Sequence, residues 1–282
     1  MVSRRDYTKE AVDAARLILQ EILHILGDYR DNIVLIGGWV PGVLFNQMEN
    51  PHPGSIDVDL ALDHRKFIDE GYKTIRDLLI SKGYREGRYS YIFLKDIINE
   101  RGNKITVEVD LLSGEDYGTG KSHRHQRIED IKALKVRGCD LAFEINEKIE
   151  LKGELPDGGM DSITIRVAGI VPFLVMKGLA LDNRLKEKDA FDIYYCLNVD
   201  LDELEALVEK FKPYLKVDMV QEGLRKIKKH FSTVDDIGPK HVADFDLIED
   251  SEERDRIQRV AYEKVKYLMD KLGISDENGR PS

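Results

Sequence analysis

The residues best suited to chemistry lie in two short segments in which polar and apolar residues alternate. The segments are residues 55–60 (SIDVDL) and 107–112 (VEVDLL). Side chains two apart in a strand share one face, so Asp57 and Asp59 project together, with Cα atoms about 6.5 Å apart. Two carboxylates at this spacing can share one hard divalent cation. Taken alone, this motif is better interpreted as the solvent face of a half-buried strand.

A glycine pair upstream changes that interpretation. Residues 32–36 (NIVLI) predict a buried strand that stops at Gly37 and Gly38 and leads into a short helix. Glycines expose backbone N–H groups, and a helix N-terminus favours phosphate. A tight strand-to-helix turn would explain the glycines by themselves. Together with the two-aspartate strand and with Asp110 on the second strand, they favour a metal and nucleotide site.

These elements resemble the signature of the polymerase-β-like nucleotidyltransferases, which combine a glycine pair, an Asp-x-Asp strand and a third carboxylate on a neighbouring strand. The matching positions are Gly37, Gly38, Ser55, Asp57, Asp59 and Asp110. Two departures are a Gly-Gly pair in place of the commoner Gly-Ser and a long interval before the Asp-x-Asp strand. The resemblance implies that the glycines and the serine bind an NTP substrate, and that the three aspartates hold Mg²⁺ or Mn²⁺.

The same resemblance implies a division of labour among the carboxylates. Asp57 and Asp59 would hold the triphosphate through one ion, and a second ion would also involve Asp110. Asp110 is the best candidate for accepting the proton of the acceptor hydroxyl. The implied reaction moves a nucleoside monophosphate from the NTP to that hydroxyl and releases pyrophosphate.

A second block narrows the family. Residues 171–181 (VPFLVMKGLAL) and 184–195 (RLKEKDAFDIYY) resemble the Lys…Ala…Arg-x-Lys-x-(Arg/Lys)-Asp-x-x-Asp block of the AbiEii-type nucleotidyltransferases. That group contains abortive-infection and toxin–antitoxin toxins. The positions that the resemblance assigns to catalysis are Lys177, Asp189 and Asp192, with Lys188 assigned to nucleotide binding.

This block has two interpretations. In the functional one, Lys177 reaches across a cleft to triphosphate oxygens, and at least one of Asp189 and Asp192 orients it. In the structural one, the aspartates pair with basic neighbours on a solvent-exposed helix, where each pair contributes at most about 1 kcal/mol. The neighbours in question are Arg184, Lys186 and Lys188.

Periodicity predicts the elements that position these residues. Helices are expected at 7–26, 39–47 and 65–82, and strands at 32–36, 55–62, 89–95, 104–112, 139–155 (strand or hairpin) and 162–167. Residues 113–127 are expected to form a loop, and beyond 172 the pattern is helical, at 172–183, 187–197, 201–211, 215–231 and 252–272. The predicted fold is α/β, with a nucleotidyltransferase-type mixed sheet and flanking helices in a catalytic domain (1–168), followed by an all-α domain (169–282).

Composition limits the function classes. Of the 282 residues, 42% are hydrophobic and 34% are charged, as in a globular protein. No apolar run reaches the roughly 18 residues that a membrane span requires, and the N-terminus lacks a signal-peptide core, so a cytoplasmic protein without membrane contact is expected. The net charge of −10 argues against a broadly basic nucleic-acid binder. The two cysteines have no partners at zinc-ligand spacing.

The sequence does not identify the acceptor of the transferred nucleotide. The resemblance implies RNA, notably a tRNA 3′ end, or a protein hydroxyl, and it leaves room for a cognate antitoxin as partner. A small-molecule acceptor, as in antibiotic-modifying relatives, is one alternative. A non-catalytic module that binds nucleotide or a partner on the same fold is the other. The basic stretch 121–127 (KSHRHQR) could guide an acceptor phosphate or form a solvated loop.

Overall fold

A computed structural model describes residues 4–63, 65–66, 75–99, 101–114, 125–128 and 131–275. The chain divides into two compact units. One spans Tyr7–Gly169, and the other spans Ile170–Ser282 together with the N-terminal residues up to Asp6. Of the helices described, none is both long and apolar enough to cross a bilayer.

The first unit contains the strands and four helices of the described ranges. The strands are β1 (Ile33–Ile36), β2 (Asp57–Leu62), β3 (Arg85–Glu86), β4 (Ile92–Ile98), β5 (Lys104–Ser113), β6 (His125–Ile128), β7 (Ile131–Lys135), β8 (Asn146–Glu154) and β9 (Met160–Ala168). The helices are α1 (Lys9–Ile25), α2 (Val40–Leu44), α3 (Ile75–Ser81) and α4 (Cys139–Glu144).

Within the described ranges, these nine strands form one mixed sheet in the order β3-β4-β5-β2-β1-β9-β8, with β7 added beside β5 and β6 beside β7. At the centre, β2 runs antiparallel to β1 and parallel to β5. On the other side of β5, β4 pairs antiparallel. This arrangement brings the two carboxylate segments next to each other, although 50 residues lie between Asp59 and Asp110 in the chain.

One face of the sheet centre is apolar and covered by α1. Val58, Val107 and Val109 are buried on it. Lys95 shares this face because it pairs with Val107, and its ammonium lies 3.6 Å from Glu21 of α1. The helix therefore packs on the face opposite the aspartates and contributes a buried apolar stripe of its own. That stripe consists of Val12, Ala14, Ala15, Ile18, Leu19, Ile22 and Leu23.

The second unit is helical over its described residues. Its helices are α5 (Ile170–Arg184), α6 (Glu187–Leu197), α7 (Leu201–Phe211), α8 (Asp218–His230), α9 (Ile237–Phe245) and α10 (Ser251–Lys271). Glycines allow α5 and α8 to approach closely. A Cβ atom at Gly178 would lie 2.4 Å from the carbonyl oxygen of Gly223, and one at Gly223 would lie 2.8 Å from Cα of Val175.

The predicted fold class, a mixed α/β sheet followed by a helical C-terminal region, is confirmed by this architecture. The predicted helices at 187–197 and 201–211 have the predicted bounds. The predicted helix at 65–82 is described only over Ile75–Ser81, because residues 67–74 lie outside the described ranges. The same holds for positions 121–124 of the basic stretch.

Three sequence predictions are wrong. Residues 139–144 form helix α4 instead of a strand, since six residues are too few to separate a period of 2 from one of 3.6. Residues 125–127 belong to strand β6 and not to a loop, because β6 pairs with β7 through backbone hydrogen bonds. Strand β7 was itself not predicted. Helix α9 was also missed, because Gly238 and Pro239 near its start lower its helical propensity. Gly238 is required there, as a Cβ atom would lie 2.5 Å from the ring of Phe231.

We predict that Gly178→Ala and Gly223→Ala each lower the melting temperature, because the new methyl group would meet backbone atoms of the facing helix. Overpacking of this kind costs about 1–3 kcal/mol. Gly27→Ala is the control, since nothing lies within 4 Å of a Cβ atom there. Equal melting temperatures for all three variants would show that α5 and α8 can separate without loss.

Candidate active site

The carboxylates meet on the open face of the central strands. In the parallel register of β2 and β5, Asp59 is the partner of Asp110, and Asp57 is the partner of Glu108. Paired residues of neighbouring strands project to the same face, so four acidic side chains stand side by side. Asp57, Asp59 and Asp110 are half-buried and Glu108 is exposed.

Gly37 shapes the position of Asp59. It follows directly after Ile36, which pairs with Asp59, and it has a φ of +71°. A Cβ atom at this residue would lie 1.9 Å from Oδ2 of Asp59. Only glycine satisfies both the left-handed backbone and this close approach. The turn therefore places bare backbone directly against one carboxylate of the site.

Ser55, Gly38 and Trp39 support Asp57. The hydroxyl of the buried Ser55 donates a hydrogen bond to Oδ1 of Asp57. The indole N–H of Trp39 donates to the carbonyl oxygen of Asp57 at 2.8 Å. Gly38 lies against the serine, where a Cβ atom would be 2.5 Å from the hydroxyl oxygen. These hydrogen bonds hold the side chain and the backbone of Asp57 at the start of β2, and Trp39 is part of the core.

The helix that follows the glycine pair is too short to attract phosphate strongly through its dipole. A 3₁₀ turn, Gly37–Trp39, precedes α2, which has five residues. So short a helix contributes little macrodipole, so any attraction for phosphate depends on the local N–H groups of the turn.

Asp110 is the most perturbed carboxylate on this face. Burial, followed by the negative charges of Asp59, Glu108 and Asp57, raises the pKa of Asp110 to about 8. Its Oδ1 atom is buried and receives no hydrogen bond from the described residues. An acid in this environment holds its proton near neutral pH unless a cation compensates for its neighbours.

The donor set on this face suits a hard cation, because it consists of carboxylate oxygens and includes a buried oxygen without a donor. The side chains are not gathered around a single point, however. Among the described residues, no three His, Cys, Asp or Glu side chains converge closely enough to form a metal cluster. Binding of a divalent cation would require rotation of these carboxylates toward one another.

A second charged group lies within the helical unit. The ammonium of Lys177 donates to Oδ1 of Asp189 at 2.8 Å and lies 2.7 Å from Oδ2 of Asp192. Arg184 binds Asp189 in a bidentate manner, at 2.7 and 2.9 Å, and Lys188 donates to Asp192. The side chains of the two aspartates are only 1% and 0% exposed. The aspartates therefore pair with Arg184 and Lys188, as the structural interpretation expected, but they are buried within the helical unit and not in open solvent.

Electrostatic balance differs among the members of this cluster. Burial lowers the pKa of Lys177, but the carboxylates of Asp189 and Asp192 outweigh it and hold the pKa well above its ordinary value. Burial lowers the pKa of Lys188, and Asp192 offsets this only in part. Burial raises the pKa of Asp189, yet Lys177 and Arg184 bring it below its usual range. Lys177 is thus a fixed buried cation.

The two groups of predicted residues are each brought together inside their own unit. Gly37, Gly38, Ser55, Asp57, Asp59 and Asp110 lie around β1, β2 and β5, and Lys177, Lys188, Asp189 and Asp192 lie on α5 and α6. Their roles stay predictions. Glu108 was not predicted as a site residue, although its two-residue spacing from Asp110 repeats the Asp-x-Asp pattern. Arg184 was predicted only as a surface partner of the aspartates.

Two solved structures are similar to this chain at low identity. The "putative nucleotidyltransferase from H. pylori" has a TM-score of 0.44 and 14% identity, covering 94% of this chain and 97% of that one. The "antigenic nucleotidyltransferase-like protein from Paracoccidioides brasiliensis" has a TM-score of 0.38 and 16% identity, covering 76% and 93%. No family model and no curated protein matches. Likenesses at these TM-scores carry no inference about activity.

We predict that the wild-type protein loses stability relative to Asp110→Asn as the pH rises from about 5 to 8.5 in chelator. The pKa of Asp110 is about 8 in the folded state, above its value in the unfolded chain, so between these two values the folded protein holds a proton that the unfolded chain releases. The stabilisation that this proton provides is lost as the pH rises toward the folded pKa. The difference in the free energy of unfolding should change by a few kcal/mol, since one pKa unit is about 1.4 kcal/mol. Urea unfolding across this range measures it, and a constant difference would contradict the raised pKa.

We predict that Asp192→Ala destabilises the protein by about 3–5 kcal/mol, because it removes the shared counter-charge of the buried Lys177 and Lys188. Asp255→Ala, which truncates an exposed aspartate on α10, should change stability by less than about 0.5 kcal/mol. Thermal unfolding of both variants gives the comparison. Equal melting temperatures would mean that the two lysines do not depend on Asp192.

Proposed function

We propose that this chain is a nucleotidyltransferase that moves a nucleoside monophosphate from an NTP to an acceptor hydroxyl with the help of Mg²⁺ or Mn²⁺. The observation that carries the proposal is the parallel register that pairs Asp59 with Asp110, with Gly37 seated directly against Asp59. A fold that needed only a stable strand pair would gain nothing from adjacent carboxylates, because like charges side by side destabilise a sheet.

The adjacent carboxylates of β2 and β5 support binding of a divalent cation on this face of the sheet. Asp57, Asp59 and Asp110 offer oxygen ligands, and Oδ1 of Asp110 is buried without a donor. When bound, Mg²⁺ or Mn²⁺ would neutralise this face, favour ionisation of an acceptor hydroxyl and stabilise negative charge on the transferred phosphoryl group.

The chain's own residues then have distinct tasks. Ser55 and Trp39 hold Asp57 in position through their hydrogen bonds. Asp110, whose pKa lies near 8, is suited to take the proton of the acceptor hydroxyl once its neighbours are compensated. The turn at Gly37 and Gly38 offers backbone N–H groups to the triphosphate without a side chain in the way.

The helical unit supplies a rigid cation in this proposal. Lys177 is held by Asp189 and Asp192, and Lys188 is held by Asp192. The AbiEii-type resemblance assigns to Lys177 the task of neutralising charge on the leaving pyrophosphate. The two aspartates act on the nucleotide through the lysines, and their resemblance to the AbiEii-type block is the basis for assigning this role.

The proposal also covers the acceptor and the biological role. We propose RNA, including a tRNA 3′ end, or a protein hydroxyl as acceptor, in keeping with the AbiEii-type resemblance and its toxin–antitoxin members. Incubation with each α-labelled NTP, total cellular RNA and cell protein, followed by electrophoresis, identifies the acceptor. Label in neither RNA nor protein would direct the search to small-molecule hydroxyls.

A non-catalytic nucleotide-binding module is the rival, and one observation favours it. The described carboxylates do not form a gathered metal cluster. A protein of that kind would bind NTP with Mg²⁺ or Mn²⁺ and leave it intact with every acceptor. Transfer by the wild-type protein separates the two functions, and substitution of the carboxylates tests which residues perform it.

We predict that Asp57→Asn and Asp59→Asn each lower nucleotidyl transfer at least about 100-fold, since loss of one metal ligand removes charge stabilisation in the transition state. Asp110→Asn should lower transfer to a similar degree and keep NTP binding, because its proposed task concerns the acceptor. Transfer is measured with labelled NTP, and binding by calorimetry.

The matched control is Asp13→Asn, which changes an exposed aspartate of α1 that forms an ion pair at 3.1 Å with Lys9, a side chain that is still more exposed. This variant should retain full transfer. Near-wild-type transfer by Asp57→Asn or Asp59→Asn would overturn the assignment of the site.

A further inference from the structure

The sheet face that carries the three aspartates extends beyond them, over β4 and β3. Thr106 precedes Asp110 by four residues on β5, so the two side chains project from the same face. Asp96 of β4 is the register partner of Thr106, and the threonine hydroxyl donates to Oδ1 of Asp96 at 2.7 Å. Asp96 therefore lies on the face that holds Asp110.

Two basic side chains meet at Asp96. The ammonium of Lys104 lies 2.7 Å from Oδ2 of Asp96, and a guanidinium nitrogen of Arg85 lies 3.4 Å from Oδ1. The register agrees with these contacts, because Arg85 pairs with Leu94 and Leu94 pairs with Glu108. The side chains of Arg85 and Lys104 are 53% and 58% exposed. We name these two residues the cation pair.

The cation pair carries more charge than its carboxylate partner. Hydrogen bonds from Lys104 and Thr106 lower the pKa of Asp96 to about 2, so this carboxylate is ionised at neutral pH. Two positive charges facing one negative charge leave one positive charge in excess, on a chain whose net charge is −10. Exposed ion pairs between strands contribute little to stability, so a stable sheet does not require this group.

The sheet order places the cation pair on the acceptor side of the proposed site. In the order β3-β4-β5-β2-β1, the carboxylates lie on β2 and β5. The glycine turn, which is proposed to contact the triphosphate, follows β1 on one side of them. Asp110, which is proposed to take the proton of the acceptor hydroxyl, lies on β5, next to β4. An acceptor that reaches Asp110 from the side away from the glycine turn passes over β4.

We propose that the cation pair binds backbone phosphates of an RNA acceptor whose 3′ hydroxyl lies at Asp110, an inference that rests on the proposed function. The four residues from Thr106 to Asp110 span about 13 Å of strand, a distance that a few nucleotides of a single strand cover. Arginine and lysine are the side chains that proteins use most for phosphate oxygens. In this arrangement Asp96 holds the two cations in place until the phosphates join them.

The test is RNA binding, followed by fluorescence polarisation in Mg²⁺ without NTP, so that no transfer occurs. The probe is a 5′-labelled single-stranded RNA hexamer, unmodified or with one neutral methylphosphonate linkage at each position in turn. The variants are Arg85→Ala, Arg85→Lys and Lys104→Ala. Lys152→Ala is the matched control, because it removes an exposed lysine of β8 that lies 3.3 Å from Glu150. Calorimetry measures NTP binding, and melting temperatures verify that each variant is folded.

We expect Arg85→Ala and Lys104→Ala each to weaken RNA binding about three- to tenfold at low salt. Each should also reduce the slope of log K against log salt by about 0.7, the value for one phosphate contact with a single strand. Arg85→Lys keeps the charge and should recover most of the affinity. The control should bind RNA as the wild type does, and NTP binding should be the same for all variants.

The modified hexamers locate the contact along the RNA. A neutral linkage a few nucleotides from the 3′ end should remove the difference between the wild type and the two alanine variants. A neutral linkage at the 5′ end should leave that difference in place. A difference that no single linkage removes would contradict binding at a defined phosphate.

Unchanged RNA affinity and salt slope in both alanine variants would overturn the cation pair as a phosphate site, and so would an equal loss in the control. A loss confined to NTP binding would contradict its role toward the acceptor. A wild-type protein that transfers to protein or small molecules and does not bind RNA would remove this inference and keep the proposed function. A protein that binds neither NTP nor RNA and transfers to no acceptor would overturn both.

Discussion

The parallel pairing of β2 with β5 is the constraint on which the candidate site depends. It places Asp59 beside Asp110 on one face, and it places buried valines and leucines on the other. The apolar face, covered by α1, supplies the burial that holds the strands together, so the opposite face can carry like charges that would otherwise separate them. The raised pKa of Asp110 is a direct consequence of this arrangement. A divalent cation would relieve the repulsion, which is why we associate this face with metal and nucleotide.

The helical unit meets the same problem of buried charge with a different arrangement. Lys177 and Lys188 share Asp192, and Asp189 is divided between Lys177 and Arg184. Three cations surround two anions, so each buried carboxylate has two basic partners. Such a cluster contributes little net stability, but it is costly to break and holds each lysine in one position.

The sequence allowed the carboxylate face to be predicted because the two-residue repeat of a strand is independent of tertiary context. Residues 57–60 and 107–111 alternate strictly, and their faces follow from that alone. What could not be predicted depended on contacts between distant segments. Helix α9 depends on the close packing of Gly238 against Phe231, and strand β6 depends on pairing with β7. The burial of Asp189 and Asp192 also escaped prediction, because a charged helix has the same pattern whether its partners are solvent or a neighbouring helix.

The most direct test of the account is the pKa of the Asp110 carboxyl group, followed by ¹³C NMR in chelator and then in Mg²⁺ or Mg²⁺ with NTP. We expect a pKa near 8 in chelator, because burial and the neighbouring carboxylates disfavour ionisation. In Mg²⁺ the pKa should fall by at least about one unit, since a nearby cation favours the carboxylate. A titration that Mg²⁺ and NTP leave unchanged would contradict the claim that this face holds a divalent cation.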